Sequence, residues 1–365
     1  MKTTAAVLHQ ADGVFTLEQV EIEEPRAGEV RVKLVATGMC HTDLSMREAH
    51  RPTPYPVVLG HEGSGHIEAV GPGVTGLSVG QPVVLSYVSC GHCANCLRGE
   101  RTYCSNMWAL NFNCCRLDGT AALRLDDTQV GSHFFGQSSF SAHAVVPVAS
   151  VVPVDDDAPL ELLGPLGCGV QTGAGAVMNV FRPRPGQSIA IFGCGAVGLS
   201  ALLAAVAVGC GPIIGVDVHA GRLAKATELG ATATITSSDD VVAQILEATD
   251  GRGVDFAFDA VGAPGTFEAG VGALAPRGTF GFVAAGAPDA MASVSPRHVL
   301  FGRTITGILE GDSIPQQFIP ELIELHRAGR FPFDELITTF PLDQINEAEA
   351  ASHHGEVIKP VLLMP

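Results

Sequence analysis

Hydrophobic and polar positions follow two different rhythms along the chain. To about Asp127, short apolar runs such as EVRVKLVATG, GHIEAVG and QPVVLSYV sit between Gly and Pro breaks, with little helical periodicity. That pattern predicts a β-rich region with long loops. From SIAIFGCGAVGLSALLAAVAVG onward, short apolar strands (SIAIF, IIGVD, DFAFDAVG, GTFGFV) alternate with helical stretches such as HAGRLAKATELG and DDVVAQILEAT. Alternation of this kind predicts βαβ units and a parallel sheet. From about Leu309 a helix-like IPQQFIPELIELHRAG leads to a strand-like VIKPVLLMP, a tail expected to return to the first domain. The expectation is an α/β protein of two domains, residues 1–169 with 309–365 and residues 170–308. No internal repeat or low-complexity tract interrupts this pattern, and VDDDAP near Asp156 reads as a solvated acidic turn.

Composition agrees with two cores and narrows the partners. The 365 residues are 46% hydrophobic and 16% charged, enough apolar material for more than one core. Against 21 basic residues stand 38 acidic ones, a formal net charge of −17, and there is no basic run. Attraction to nucleic acid or to an anionic membrane is therefore not expected, and a small molecule is the expected partner. Neither a signal-like N-terminus nor an apolar run of about 18 residues is present, so the expected location is the cytoplasm, with no membrane span. In a reducing compartment, ten cysteines point to metal ligation or buried thiols rather than to disulfides.

The first chemical motif is GCGAVG, which supplies Gly193, Gly195 and Gly198 between the apolar strand SIAIF and an Ala/Leu-rich helix. Alone, such a glycine pattern is a weak signal of anything beyond a tight turn. Here the flanking strand and helix are present, and the next strand, IIGVD, ends in Asp217. Gly193 suits the turn, Gly195 the approach of a pyrophosphate to the helix N-terminus, and Gly198 close helix–strand packing. Asp217 would accept from the adenosine ribose hydroxyls and repel a 2′-phosphate, which favours NAD over NADP. Arg222 is the counter-argument, since it could serve a ribose or a phosphate.

Two cysteine sets suggest metals. Cys90, Cys93, Cys96 and Cys104 form C-x2-C-x2-C-x7-C, and four thiolates on one loop satisfy a closed tetrahedral zinc. A bacterial ferredoxin motif also opens as C-x2-C-x2-C, but continues as C-x3-C-P; here the gap is longer and no proline follows Cys104. Structural zinc is favoured over an iron–sulfur cluster or unligated thiols. The second set is dispersed: Cys40 in GMCHTDL, His61 with Glu62 in LGHEGSGH, and Cys168 in GPLGCGVQTG. Two cysteines, one histidine and an exchangeable fourth position describe a catalytic zinc. HEGSGH is not the H-E-x-x-H of a zinc protease, having one residue too many between its histidines. Cys114, Cys115, Cys194 and Cys210 carry no ligand role in this reading.

Taken in order, GMCHTD, GHEGSG, the four-cysteine lobe, GCGVQTG, GCGAVG and VD make the chain resemble the zinc-dependent medium-chain alcohol dehydrogenases from end to end. VVLSYVSCGHCANC, NFN and LEGDSIPQQFIPELIELHRAGRFPFDELI look most like the aryl-alcohol and monoterpene-alcohol dehydrogenases within that family. The resemblance implies a GroES-like catalytic domain, with a structural zinc lobe at about 88–106, and a Rossmann coenzyme domain with a doubly wound parallel sheet. It further implies two zinc ions per chain, NAD, a primary alcohol or its aldehyde as substrate, and a homodimer or homotetramer. A substrate between the domains would transfer hydride to the nicotinamide.

For single residues, the resemblance implies catalytic zinc on Cys40, His61 and Cys168, with Glu62 as a carboxylate able to approach the metal. Asp43 would orient His61, and Thr42 would take the alcohol's proton. Many relatives continue that relay through a histidine where this chain has Ser45, so His41 is a candidate substitute or a pyrophosphate contact. Thr172 would contact the nicotinamide and Lys359 the pyrophosphate. Tyr87, Val88, Trp108 and Phe112 either line an apolar pocket or pack the base of the lobe. Two alternatives are a dehydrogenase for thiol adducts of formaldehyde, in the same family, and a zinc-ribbon protein that binds nucleic acid. GTFGFVAAGAP contains a strand that could pair at a subunit edge.

Overall fold

The computed structural model describes residues 1–48, 52–284, 286–287 and 289–365. It divides into two compact units, one of Met1–Cys168, Ile314–Leu322 and Ile337–Pro365, the other of Gly169–Ser313 and Ile323–Leu336.

The first unit is built on two sheets. In the smaller, Lys2–Leu8 lies between Val57–Val58 and Thr16–Ile22, and the order continues through Leu123–Leu125 to Thr128–Val130. The larger runs in the order Val151–Pro153, Pro82–Leu85, Glu62–Val70, Glu29–Gly38, Lys359–Leu363, Ile337–Pro341, with His143–Pro147 also paired to Glu29–Gly38. Glu29–Gly38 is central because alternate residues Val30, Val32, Leu34 and Ala36 are all buried apolar groups. Its end sets up the site: Gly38 pairs with Glu62, and a Cβ on Gly38 would sit 2.0 Å from Glu62 Oε2. Lys359–Leu363 closes on the same strand, with Val361 opposite Gly38.

The second unit is a six-stranded parallel sheet in the order Ala233–Thr236, Ile213–Asp217, Ile189–Phe192, Val254–Asp259, Leu274–Phe282, Thr304–Gly307. This is the doubly wound arrangement in which two halves diverge from the first strand, Ile189–Phe192. The helix Ala196–Val208 has a buried stretch from Gly198 to Ala205 and stops at Gly209, whose φ of 82° is a left-handed cap.

Two expectations need revision. The GTFGFV strand is not an edge: Leu274–Phe282 has a neighbour on either side, and the edge strand is Thr304–Gly307. Within GTFGFVAAGAP, Ala285 and Pro288 lie outside the described residues. The tail also does not go over whole. Residues 309–313 and 323–336 pack with the second unit, where Ser313 Oγ bonds Gln171 Oε1 at 2.9 Å, Lys225 pairs with Glu335 at 3.0 Å, and Arg330 donates to Ala207 O at 2.9 Å. Side-chain partners far away in sequence decide these boundaries, and periodicity does not register them.

Candidate active site and metal centres

Cys40 precedes the helix His41–Arg47, and the third residue of that helix, Asp43, organises the surroundings. Fully buried, Asp43 accepts from Cys40 N, Gly60 N and His61 Nδ1, each at 2.9 Å. Such a carboxylate fixes the imidazole tautomer, leaving Nε2 as the ring's free lone pair. His61 Nε2 is in fact buried without a hydrogen-bond partner. An isolated buried nitrogen of this kind is costly unless something else engages it.

Close backbone approaches bring in Cys168. A Cβ on Gly164 would lie 2.2 Å from Glu62 O, and one on Gly167 would lie 2.0 Å from Leu85 O, so only glycines permit the turn that delivers Cys168. One donor atom each from Cys40, His61, Glu62 and Cys168 then falls within 4.8 Å of all the others. Two sulfurs, an imidazole nitrogen and a carboxylate oxygen fit zinc. The orphaned Nε2 is the observation that makes the fit specific.

Lys359 lies in this cluster too. Its ammonium group, 3% exposed, donates to both oxygens of Glu62 at 2.9 Å and to Met39 O at 3.1 Å. Burial alone would discharge it, but Glu62 and the cysteines keep it firmly protonated. Burial pushes Glu62 upward, with Lys359 opposing that shift. The Glu62–Lys359 pair was not anticipated; a lysine inside the apolar string VIKPVLL was its only signal.

Other residues fall around this centre in different ways. Thr42 Oγ1 is 3.8 Å from Cys40 Sγ, Ser45 is half-buried, and His41 is exposed at the helix start. Tyr87 and Val88 are buried, and Val88 N donates to Asn111 Oδ1 at 2.8 Å. A line of rings begins at His61: Phe135 stacks on it at 4.5 Å, Phe112 meets Phe135 at 5.0 Å, and Trp108, 58% exposed, lies 4.8 Å from Phe112. Phe112 thus packs the base of the lobe, whereas Trp108 reaches solvent. Phe134 and Phe135 were missed because they sit far from every metal motif in sequence.

The four-cysteine lobe is assembled locally. Its sulfurs fall within the same 4.8 Å limit, with Cys90–Cys96 and Cys93–Cys104 separations of 4.0 Å. Backbone amides point at the sulfurs: Cys90 N to Cys104 at 3.3 Å, and Cys93 N to Cys90 and Asn106 N to Cys104 at 3.4 Å. The Cys96 amide draws the Cys93 thiol down to about 5, while burial pushes Cys104 up to about 12. None of the ten cysteines is in a disulfide.

In the second unit, Gly193 has φ of 90°, and a Cβ on Gly198 would lie 1.7 Å from Gly193 O. Around Gly195 the space is open, with nothing within 4 Å of a notional Cβ. Asp217 accepts from Cys194 N at 2.7 Å and His219 N at 2.8 Å, while Arg222 Nη1 stands 3.9 Å away. Cys194 is fully buried, and burial pushes its thiol up to about 12, the behaviour of a small packed filler. Thr172 is buried in the helix Gly169–Gly175.

A GroES-like unit and a doubly wound unit, with one dispersed and one local donor set, define a class, and the chain belongs to the zinc-dependent alcohol dehydrogenases. The alcohol dehydrogenase GroES-like domain matches residues 26–156 and the zinc-binding dehydrogenase family matches residues 196–327. The chain is 48% identical to the geraniol dehydrogenase of Castellaniella defragrans, over 98% of this chain and 97% of that protein. Among solved structures, an alcohol dehydrogenase zinc-binding domain protein from Burkholderia ambifaria is similar at TM-score 0.98 and 50% identity, covering 100% of this chain and 99% of that one. The benzyl alcohol dehydrogenase of Acinetobacter calcoaceticus matches at TM-score 0.96 and 46% identity, with both chains fully covered. The chain is an alcohol dehydrogenase, and these relatives do not favour the thiol-adduct alternative.

Proposed function

We propose that this enzyme reversibly oxidises aromatic or allylic terpenoid primary alcohols to aldehydes, using NAD and two zinc ions per chain. The observation that carries the substrate class is the outer end of the line of rings that starts at His61, where the half-buried Phe112 and the exposed Trp108 offer aromatic surface. Ethanol makes few contacts with such a surface, whereas a benzylic or prenyl chain can lie along it. The activities named for the Castellaniella and Acinetobacter relatives support the same class.

When bound, zinc supplies the Lewis acidity that eases loss of the alcohol proton, and NAD supplies the hydride acceptor. Cys40, His61 and Cys168 would hold the catalytic ion, Glu62 would stand beside it, and Cys90, Cys93, Cys96 and Cys104 would hold the structural ion. Asp43 keeps the proton of His61 on Nδ1, so that Nε2 faces the ion as a lone pair. Thr42 takes the alcohol's proton at Oγ1, and with Ser45 in place of a relay histidine, His41 at the exposed helix start passes it to solvent. Gly193, Gly195 and Gly198 would cradle the pyrophosphate. Asp217, oriented by the amides of Cys194 and His219, favours a ribose with free hydroxyls, and Arg222 flanks it. Contacts of Thr172 with the nicotinamide and of Lys359 with the pyrophosphate rest on family membership.

Among the described residues no helix is long and apolar enough to cross a membrane. That none of the ten cysteines forms a disulfide suits the cytoplasm. A homodimer or homotetramer is supported by the edge strand Thr304–Gly307 and the neighbouring exposed Leu300 and Phe301.

NADH formation with a panel of alcohols tests the reading. Benzyl alcohol, cinnamyl alcohol or geraniol should exceed ethanol in kcat/KM by about 100-fold or more, a difference of about 2.7 kcal/mol. Preference for ethanol, for NADP, or for formaldehyde with a thiol would refute the corresponding part.

A further inference from the structure

Every residue from His133 to Phe140 is buried. Nevertheless His133, Phe135 and Ser138 hold left-handed backbone conformations, with φ of 72°, 51° and 49°. Residues with a Cβ disfavour this region, and such conformations persist only where the surroundings over-determine them. What over-determines this segment is its attachment to the residues just ahead of His61. Ser138 Oγ donates to Val58 O at 2.6 Å, while Phe140 N donates to Leu59 O and Ser139 N to Gly60 O, both at 2.9 Å.

Gln137 completes this series. Only 1% exposed, it donates from Nε2 to His61 O at 2.8 Å and accepts at Oε1 from Gly63 N at 3.0 Å. Strand pairing with Glu29–Gly38 begins at Glu62, so His61 precedes that ladder and its carbonyl finds a partner in the amide. A primary amide suits the place because it gives one donor and one acceptor at once. The rings of the same segment address the His61 side chain: Phe135 stacks on its face at 4.5 Å and Phe134 meets it edge-on at 5.3 Å. Asp43 holds Nδ1. The Asp43 bond sets the tautomer and the turn of the ring, but it cannot by itself stop the ring from moving with its backbone.

We propose that Gln137 is a positioning residue that clamps the peptide on both sides of His61 and so fixes where Nε2 stands relative to Cys40 and Cys168. The strained segment is the rigid mount from which Gln137 and Phe135 act. This inference rests on the reading of His61 as a zinc ligand.

Gln137→Met removes both hydrogen bonds at similar volume, and Gln137→Glu keeps only the acceptor. Each holoenzyme would be examined for zinc release to a chelator, for the absorption spectrum after cobalt exchange at the catalytic site, and for kcat and KM. Gln137→Met should release catalytic zinc about 10-fold faster or more, change the cobalt spectrum and lower kcat with the KM for NAD unaltered. The lobe zinc should be retained, and Gln137→Glu, which sets a carboxylate oxygen against His61 O, should also release catalytic zinc faster than the wild type. A lowered melting temperature with unchanged release and cobalt spectrum would make Gln137 merely structural and overturn the proposal. If Gln137→Met does not fold, the same readouts on Gln137→Glu decide. His61→Ala separates the two levels. Retention of catalytic zinc there refutes the ligand reading, and this inference with it; loss of zinc there, beside wild-type behaviour of the Gln137 variants, refutes only the clamp.

Discussion

The lobe cysteines and the Cys40 cluster answer the same chemical demand with opposite construction. All four lobe donors come from residues 90–104, and the amides that surround the sulfurs come from the same short run, residues 90–106. The other set draws on Cys40, His61, Glu62 and Cys168, which meet through strand pairing, glycine contacts and the buried Asp43. Four thiolates close a shell and leave a substrate no place, whereas a carboxylate already paired with Lys359 is an exchangeable neighbour. A metal in the lobe therefore organises its own loop, and a metal in the dispersed set depends on the fold to organise it.

The sharpest way to break that contrast is Cys40→Ala. Turnover should fall by about 10³-fold or more, equivalent to about 4 kcal/mol, while metal analysis finds the lobe zinc retained and calorimetry finds little change in melting temperature. Cys96→Ser should do the reverse. Losing a structural zinc should lower Tm by about 10 °C, with kcat/KM per folded chain within a few-fold of the parent. A lobe variant that folds normally yet cannot turn over would dissolve the distinction.

Asp43→Asn sharpens the comparison from inside the dispersed set. The amide cannot accept at both positions as the carboxylate does, so catalytic-zinc affinity measured by chelator competition should fall about 10- to 100-fold, with lobe zinc unaffected. The smallest effect concerns how the chain leaving the lobe is anchored. Arg116 grips Glu29 at 2.5 and 3.0 Å and also pairs with Glu23, the Arg26 amide donates to Glu29 at 2.9 Å, and His133 lies 3.8 Å away. Burial would raise the Glu29 carboxyl, but His133 and Arg116 outweigh it and hold it far below its usual 4.5. A depressed folded value contributes stability that is complete above the unfolded value and lost as pH falls toward the folded one. Thermal melts should therefore weaken with acid below about pH 4.5, and Glu29→Gln should flatten that slope without touching kcat near neutrality.

Features set by neighbouring residues were legible in the chain before any fold was known. C-x2-C-x2-C-x7-C and the strand–glycine–helix run around Gly193 are of this kind, since their spacing is their geometry. Legibility declined where partners are distant. Strand order escapes periodicity: GTFGFV reads as a strand that could pair at a subunit edge, yet Thr304–Gly307 covers Leu274–Phe282. At Lys359 the chain shows a basic residue in an apolar string but no sign that Glu62 stands 2.9 Å away. Gln137, Phe134 and Phe135 carried no motif at all.

The sequence by itself determined the two-rhythm α/β architecture, the dinucleotide turn and the local thiolate lobe, because short-range spacing and hydrophobic period specify local backbone geometry. Only the tertiary structure decided how Asp43 and Gln137 hold His61, how glycine contacts deliver Cys168, and which charge Glu62 faces. Those arrangements depend on register and burial, which exist only once residues far apart in the chain have packed.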